Sequence, residues 1–132
     1  MNREMQSPFE AIGGGKVVER LVKTFYSRVR VHPDLAPLFP DDLTETMRKQ
    51  TQFLTQFLGG PSLYSHEHGH PRLRARHLRF PISQIQANAW LDCMSKALND
   101  VIIDSEWRER LLERFTLTAH HMINQPASKD DI

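Results

Sequence analysis

Apolar residues recur along this chain at steps of three and four, and the turn signals that close β-hairpins are missing. That periodicity leaves a packing of helices as the available class. After the GGGK of residues 13–16, Val17, Val18, Leu21, Val22, Phe25, Tyr26 and Val29 form one helical stripe. His32-Pro33 predicts its end, because proline disfavours helix in the residue before it. The segment DLAPLFP reads as a tight corner, apolar at Leu35, Leu38 and Phe39. A second helix is predicted from Asp41-Asp42, where Asp42 and Glu45 have capping-box spacing, to the Gly59-Gly60 stop. Its inward line is Leu43, Met47, Gln50, Leu54 and Phe57, with Thr46 on the same face. A third helix runs from about Ser83 to Val101, with Ile85, Ala89, Trp90, Cys93, Met94, Ala97, Leu98 and Val101 inward. A fourth starts near Asp104 or Ser105 and uses Trp107, Leu111, Phe115, Ala119, Met122 and Ile123. The expected class is all-α.

The 132 residues suit one domain, large enough to hold a core without staples. Residues 1–10 and 125–132 read as terminal extensions. A net charge of +1 gives no global basic field for nucleic acid. Cys93 is the only cysteine, so no intrachain disulfide can form and a reducing compartment fits. The N-terminal residues lack the apolar run of a signal peptide, and no stretch is long enough to span a bilayer. These features predict a cytoplasmic protein that engages neither membrane nor nucleic acid.

The stretch HEHGHPRLRARHLRF, residues 66–80, holds four of the seven histidines. Zinc sites take spaced Cys and His pairs, or His pairs on one helix face with a carboxylate; alternating histidines on a Gly-Pro loop fit neither. His66 and His68 read instead as solvated loop residues, and His70 as a residue ordering the loop before Pro71. Arg72, Arg74 and Arg76 make a local basic cluster with few aromatics nearby for base stacking. Such a cluster in a near-neutral chain is a solvated face or a seat for one anion. A short helix is predicted from Arg72 to His77, with Pro71 at its first turn.

Four polar side chains fall on inward faces of three helices: Tyr26, Thr46, Gln50 and Trp90. A buried polar group without a partner costs on the order of 1–3 kcal/mol. One such residue is an ordinary satisfied core position; four on converging helices describe a polar spot in an apolar pocket. Cys93 lies mid-helix on an apolar face and reads as a small hydrophobe rather than a nucleophile. No phosphate-binding or dinucleotide fingerprint is present.

From Phe9 to about Asn124 the chain resembles the group II truncated haemoglobins. The resemblance rests on GGPSLY at 59–64, GHPRLRARH at 69–77, Phe80-x-Ile82 and AWLDCM at 89–94. FYSRV at Tyr26, LFP at 38–40 and TAHHMIN at 118–124 add to it. Each piece alone is weak; their order and spacing are specific.

The resemblance implies a two-over-two helical sandwich enclosing haem b. It implies that His77 is the axial iron ligand, and that Tyr26, Gln50 and Trp90, with Thr46, face the distal ligand. It implies haem contacts from Phe39, Lys49, Phe53, Tyr64 and Met94, with Arg74 and Arg76 as further candidates near the propionates. Phe39 stands where some members have tyrosine, which removes one possible hydrogen bond. The expected function is binding of O2, and of CO and NO, at a five-coordinate iron with slow release. The alternative is redox catalysis of peroxidase type or on oxygen and nitric oxide, with peroxide or sulfide as possible ligands. Either use needs a reductase to keep the iron ferrous.

Overall fold

In the computed structural model, residues 6–78 and 80–125 are described. Among them every regular element is helical: α1 (Pro8–Ile12), α2 (Gly15–Val29), α3 (Thr44–Phe57), α4 (Leu63–His68), α5 (Leu73–His77), α6 (Gln84–Val101) and α7 (Ser105–His121). A single 3-10 turn, Ala36–Leu38, forms the corner between α2 and α3.

The stripe read from the sequence is the reason α2 is central. Val18, Leu21, Val22, Phe25, Tyr26 and Val29 are all buried. They pack α2 against both α3 and α6, while α6 also packs on α7. The three-residue link from α6 to α7 turns the chain back on itself, so the two helices lie side by side. Two helix pairs, α2 with α3 and α6 with α7, thus form the two layers of the sandwich. The core between them adds Leu54, Leu58, Cys93, Met94, Leu98, Leu111 and Phe115.

Helix starts follow local chemistry. Ser83 begins α6 with a capping box: its backbone N–H donates to Gln86 Oε1 (2.9 Å), and its Oγ accepts from Ile85 N (3.2 Å). Asp104 Oδ1 accepts from Glu106 N (2.9 Å) at the start of α7. The capping box expected at Asp42 and Glu45 does not form. Helix α3 begins two residues later, Asp42 Oδ1 accepts from Thr44 N (3.0 Å), and Glu45 turns outward to pair with Arg48.

Several other expectations change. The segment 61–72 is not all loop, since α4 occupies residues 63–68 and carries His66 and His68. Pro71 precedes the helix-capping Arg72 and is not in the first turn of α5; Arg72 itself adopts φ 47°. Ile85 is 43% exposed, because it sits in the first turn of α6, before that helix meets α2. The short helix α1 escaped the periodicity because five residues are too few to show any.

At the end of α3, Gly59 adopts φ +92°, which only glycine enters without strain. The turn is also a docking point, for Phe9 N donates to Leu58 O (2.8 Å) and holds α1 there. A Cβ on Gly60 would lie 2.8 Å from the Phe9 ring and 2.9 Å from the Thr55 carbonyl oxygen. The carbonyl belongs to the helix and cannot move aside. Gly60→Ala is expected to cost about 1–3 kcal/mol, the usual penalty of forcing atoms into a packed site. Urea denaturation against wild type measures it, and an unchanged midpoint would refute the close approach.

Candidate functional site

Helix α5 is only five residues long, and His77 is its last residue. The imidazole Nδ1 lies 2.7 Å from the carbonyl oxygen of Leu73, one turn back. A carbonyl can only accept, so Nδ1 carries a proton, and in the neutral ring that leaves the lone pair on Nε2. Nε2 makes no hydrogen bond among the described residues. A neutral imidazole oriented by a backbone carbonyl, with the other nitrogen open, is the arrangement of a metal-ligating histidine. No three His, Cys, Asp or Glu side chains gather among the described residues, so this ring stands apart from any such cluster.

The inward polar residues have a common property. Tyr26 is 5% exposed, and Thr46, Gln50 and Trp90 are half-buried. None of their side chains makes a hydrogen bond to another described residue. Yet among the described residues no side-chain nitrogen or oxygen is both sealed from solvent and unpartnered. The hydroxyl of Tyr26, the amide of Gln50, the hydroxyl of Thr46 and the indole N–H of Trp90 therefore open on accessible space. In four other cases a threonine on α3 or α7 returns its hydroxyl to the carbonyl four residues back (Thr51, Thr55, Thr116 and Thr118). Thr46 lies in the first turn of α3, where no such carbonyl exists.

Aromatic packing fixes these heads. Phe25 meets Tyr26 edge-on, with centroids 4.9 Å apart, and meets Trp90 at 5.1 Å. Phe39 stands against Tyr26 at 5.8 Å, so α2, α6 and the corner before α3 are joined through rings. Burial pushes the Tyr26 phenol well above its ordinary pKa, so it remains a neutral donor at physiological pH.

A second group surrounds α4. The Tyr64 ring is buried against Phe53 (5.9 Å) and His68 (4.7 Å), and the Arg76 guanidinium lies over it at 5.4 Å. The Tyr64 hydroxyl also lacks a protein partner and opens on accessible space. Lys49 is exposed on α3. His68 is not the solvated loop residue expected from the sequence. Its side chain is 17% exposed, and Nε2 lies 2.9 Å from Gln52 Oε1 and 2.8 Å from Glu67 Oε2. His66 is exposed, and His70 Nδ1 accepts from Arg72 N (3.1 Å) in the loop.

Not every expected contact assembles. Met94 has no exposed surface and lies wholly within the protein's own core, so it offers nothing to a ligand. Its position on the same stripe as Trp90 could not reveal which way the helix turned. Arg74 departs from Arg76 and joins Phe53, Phe57, Leu73, Leu117 and Met122 in lining an open groove of about 720 Å³. That groove takes in none of Tyr26, Thr46, Gln50, Trp90 or His77. Two contributors went unread in the sequence. Phe25 looked like any core position. Asn124 binds the backbone that follows His77, and an asparagine just past a helix end normally signals only a stop.

Comparisons with known proteins identify the family. The Bacterial-like globin family matches residues 7–124. Over 130 residues the chain is 56% identical to Group 2 truncated hemoglobin YjbI of Bacillus subtilis, covering 98% of each. The crystal structure of the group II truncated hemoglobin from Bacillus anthracis superposes with TM-score 0.92 at 59% identity, covering 96% of this chain and 98% of that one. The truncated oxygen-avid haemoglobin from Bacillus subtilis does so with TM-score 0.86 at 59% identity, covering 90% and 100%. The chain belongs to the bacterial-like globins, as a group II truncated haemoglobin with the two-on-two fold. Membership implies a haem cofactor and a diatomic gas such as O2 as its ligand. No helix among the described residues is long and apolar enough to cross a membrane.

Two outcomes test this geometry directly. In the haem-free protein near neutral pH, ¹⁵N–¹H correlation spectra should show the neutral His77 ring protonated at Nδ1; protonation at Nε2 would contradict the Leu73 bond. The second concerns α4. Hydrogen bonds from Arg48, then from Gln52, hold the Glu67 carboxyl at about 2, below its ordinary 4.5. A depressed carboxyl stabilises the fold fully above its unfolded pKa, and that contribution is lost as pH falls through the folded value. The thermal midpoint of Glu67→Gln should lie below wild type at pH 6 and converge with it as pH falls from about 4.5 towards 2. An equal gap at every pH would rule out the ion pair as the cause.

Proposed function

We propose that His77 Nε2 is the axial ligand of haem b and that Tyr26, Gln50 and Trp90, with Thr46 beside them, form a polar distal cage. In this reading the iron is five-coordinate before ligand binds, and O2 is held tightly and released slowly. The observation that carries the reading is the pairing of an oriented imidazole, open at Nε2, with unpartnered polar heads on three other helices. Folding leaves donors unpartnered only where something else meets them, since each otherwise forfeits a hydrogen bond. The term "oxygen-avid" applied to the Bacillus subtilis relative, 59% identical, supports the same reading.

The haem, when bound, supplies an iron that takes a diatomic ligand and pushes negative charge onto it. The protein's part is electrostatic. Tyr26, kept neutral by burial, donates its phenol hydrogen towards that charge, as do the Trp90 indole and the Gln50 amide. Hydrogen bonds to charged partners contribute about 1.5–3 kcal/mol each. About 1.4 kcal/mol is a factor of ten in an equilibrium constant, so two donors slow release by orders of magnitude. The Tyr64 hydroxyl, Lys49 and Arg76 are the groups we assign to the haem carboxylates, with Phe39 and Phe53 against the ring. Met94 is left out because it has no surface to offer, and Arg74 because Arg76, not Arg74, lies over the Tyr64 ring.

CO and NO take the same place as O2. Binding is favoured over catalysis because the cage holds no group that exchanges a proton near neutral pH: threonine, glutamine and tryptophan do not titrate there, and Tyr26 is pushed further from doing so. Peroxide and sulfide are therefore weaker candidates than O2. A reductase that keeps the iron ferrous is required in either case, and a cytoplasmic site would supply one.

A visible spectrum of the expressed protein should show a Soret band that changes on adding CO, and His77→Gly should lose the band or its histidine ligation. Absence of any Soret band after haem is supplied would end the proposal. In stopped-flow mixing, Tyr26→Phe and Trp90→Phe should each release O2 roughly tenfold faster or more, following the loss of one charge-assisted hydrogen bond. Unchanged off-rates in both would refute the cage while leaving the haem assignment intact.

A further inference from the structure

The short helix that carries His77 has little to hold it by itself. Five residues are below the length at which helix formation sustains itself in water. Arg72 at its start makes no side-chain cap and sits at φ 47°. At its other end the carbonyls have no further turn to donate to them, so something else must.

Asn124, three residues beyond α7, meets that need. Its Nδ2 donates to the His77 carbonyl oxygen (3.1 Å) and to the Phe80 carbonyl oxygen (3.0 Å). Its Oδ1 accepts from Ile82 N (3.1 Å). Its backbone N–H donates to Ile82 O (2.8 Å), which also accepts from Gln125 N (3.0 Å). Two carbonyls and one N–H meet a group with two donors and one acceptor. That match fixes which end of the amide is nitrogen. It also explains the residue type, since aspartate offers no donor and alanine offers nothing. Within the turn, Phe80 N donates to His77 O (3.0 Å), so the same carbonyl is held twice.

We propose that Asn124 is a positioning residue for His77: by fixing the carbonyls of His77 and Phe80 to the end of α7, it sets the tilt of the imidazole towards the iron. The His77 ring has one tether of its own, Nδ1 to Leu73 O, which fixes rotation about the side chain. The backbone that carries the ring is fixed by Asn124. Together they leave the ring little freedom about either axis. This rests on the reading of His77 as axial ligand, and it extends that reading from the ligand to the frame behind it.

The test uses the haem-loaded ferrous protein and three variants. Asn124→Asp keeps the acceptor for Ile82 N and replaces both donors with oxygen. Asn124→Ala removes all three bonds without adding charge. Leu98→Ala, in the core between α6 and α7, lowers stability without touching these bonds. Resonance Raman should show the iron–histidine stretching band shifted or broadened in both Asn124 variants and unmoved in Leu98→Ala. Haem transfer to excess apomyoglobin should be roughly tenfold faster in the Asn124 variants, the lower end of what losing a partner behind a metal ligand does. In the haem-free protein, hydrogen exchange of the Ile82 amide should accelerate in Asn124→Ala and stay protected in Asn124→Asp. A band unmoved in both Asn124 variants, or one moved equally by Leu98→Ala, overturns the assignment. A wild-type protein with no iron–histidine band overturns the axial-ligand reading instead, so the two failures are distinct.

Discussion

The burial of α2 between α3 and α6 is the constraint from which the other features follow. Six side chains of that helix leave water together, and each layer of the sandwich touches it. Burying a side chain of this kind contributes on the order of 1.5–3 kcal/mol, and this sum holds the two layers at a fixed spacing. With the spacing fixed, Tyr26 has no choice about where its hydroxyl goes. Phe25, wedged between Tyr26 and Trp90, carries the same order across to α6. The polar heads are thus placed by apolar packing, and not by bonds among themselves.

This division explains what could be read in advance. The long helices were legible because their stripes repeat for three or more turns, and the inward position of Tyr26, Thr46 and Gln50 followed from the same periodicity. Their lack of partners was not legible, since a pattern gives the face of a residue and not what meets it. The region from 61 to 82 was read least well. Helix α4 is under two turns long, and its His68 is held by the neighbouring Glu67 and by Gln52 of α3, the latter a contact between segments that no local pattern reveals. Asn124 illustrates the same limit. It lies more than forty residues from each backbone group that its side chain binds. The capping box at Asp42 shows the opposite error: spacing was right, but Arg48 took the glutamate.

The basic cluster that opened several possibilities resolves by position. Arg76 turns back over Tyr64 and donates to the His68 carbonyl, while Arg74 faces a groove on the α7 side. Consecutive alternate residues on so short a helix point different ways, so a run that looks like one patch in the sequence serves two surfaces. Charge density along a chain is therefore a poor guide to charge density in space when the backbone turns within the run.

The two faces of the site are built from unlike materials. In the proposed site the distal side is carried by three helices of fourteen or more residues. Its proximal side is a five-residue helix and a turn, kept in place by a handful of hydrogen bonds to the segment after α7. Free energy of local opening follows buried apolar contact, so the two sides belong to different tiers of stability. In this reading, local opening reaches the histidine side before the cage. In the proposed site, the groups that meet the small ligand and the group that holds the haem therefore draw their stability from separate parts of the fold.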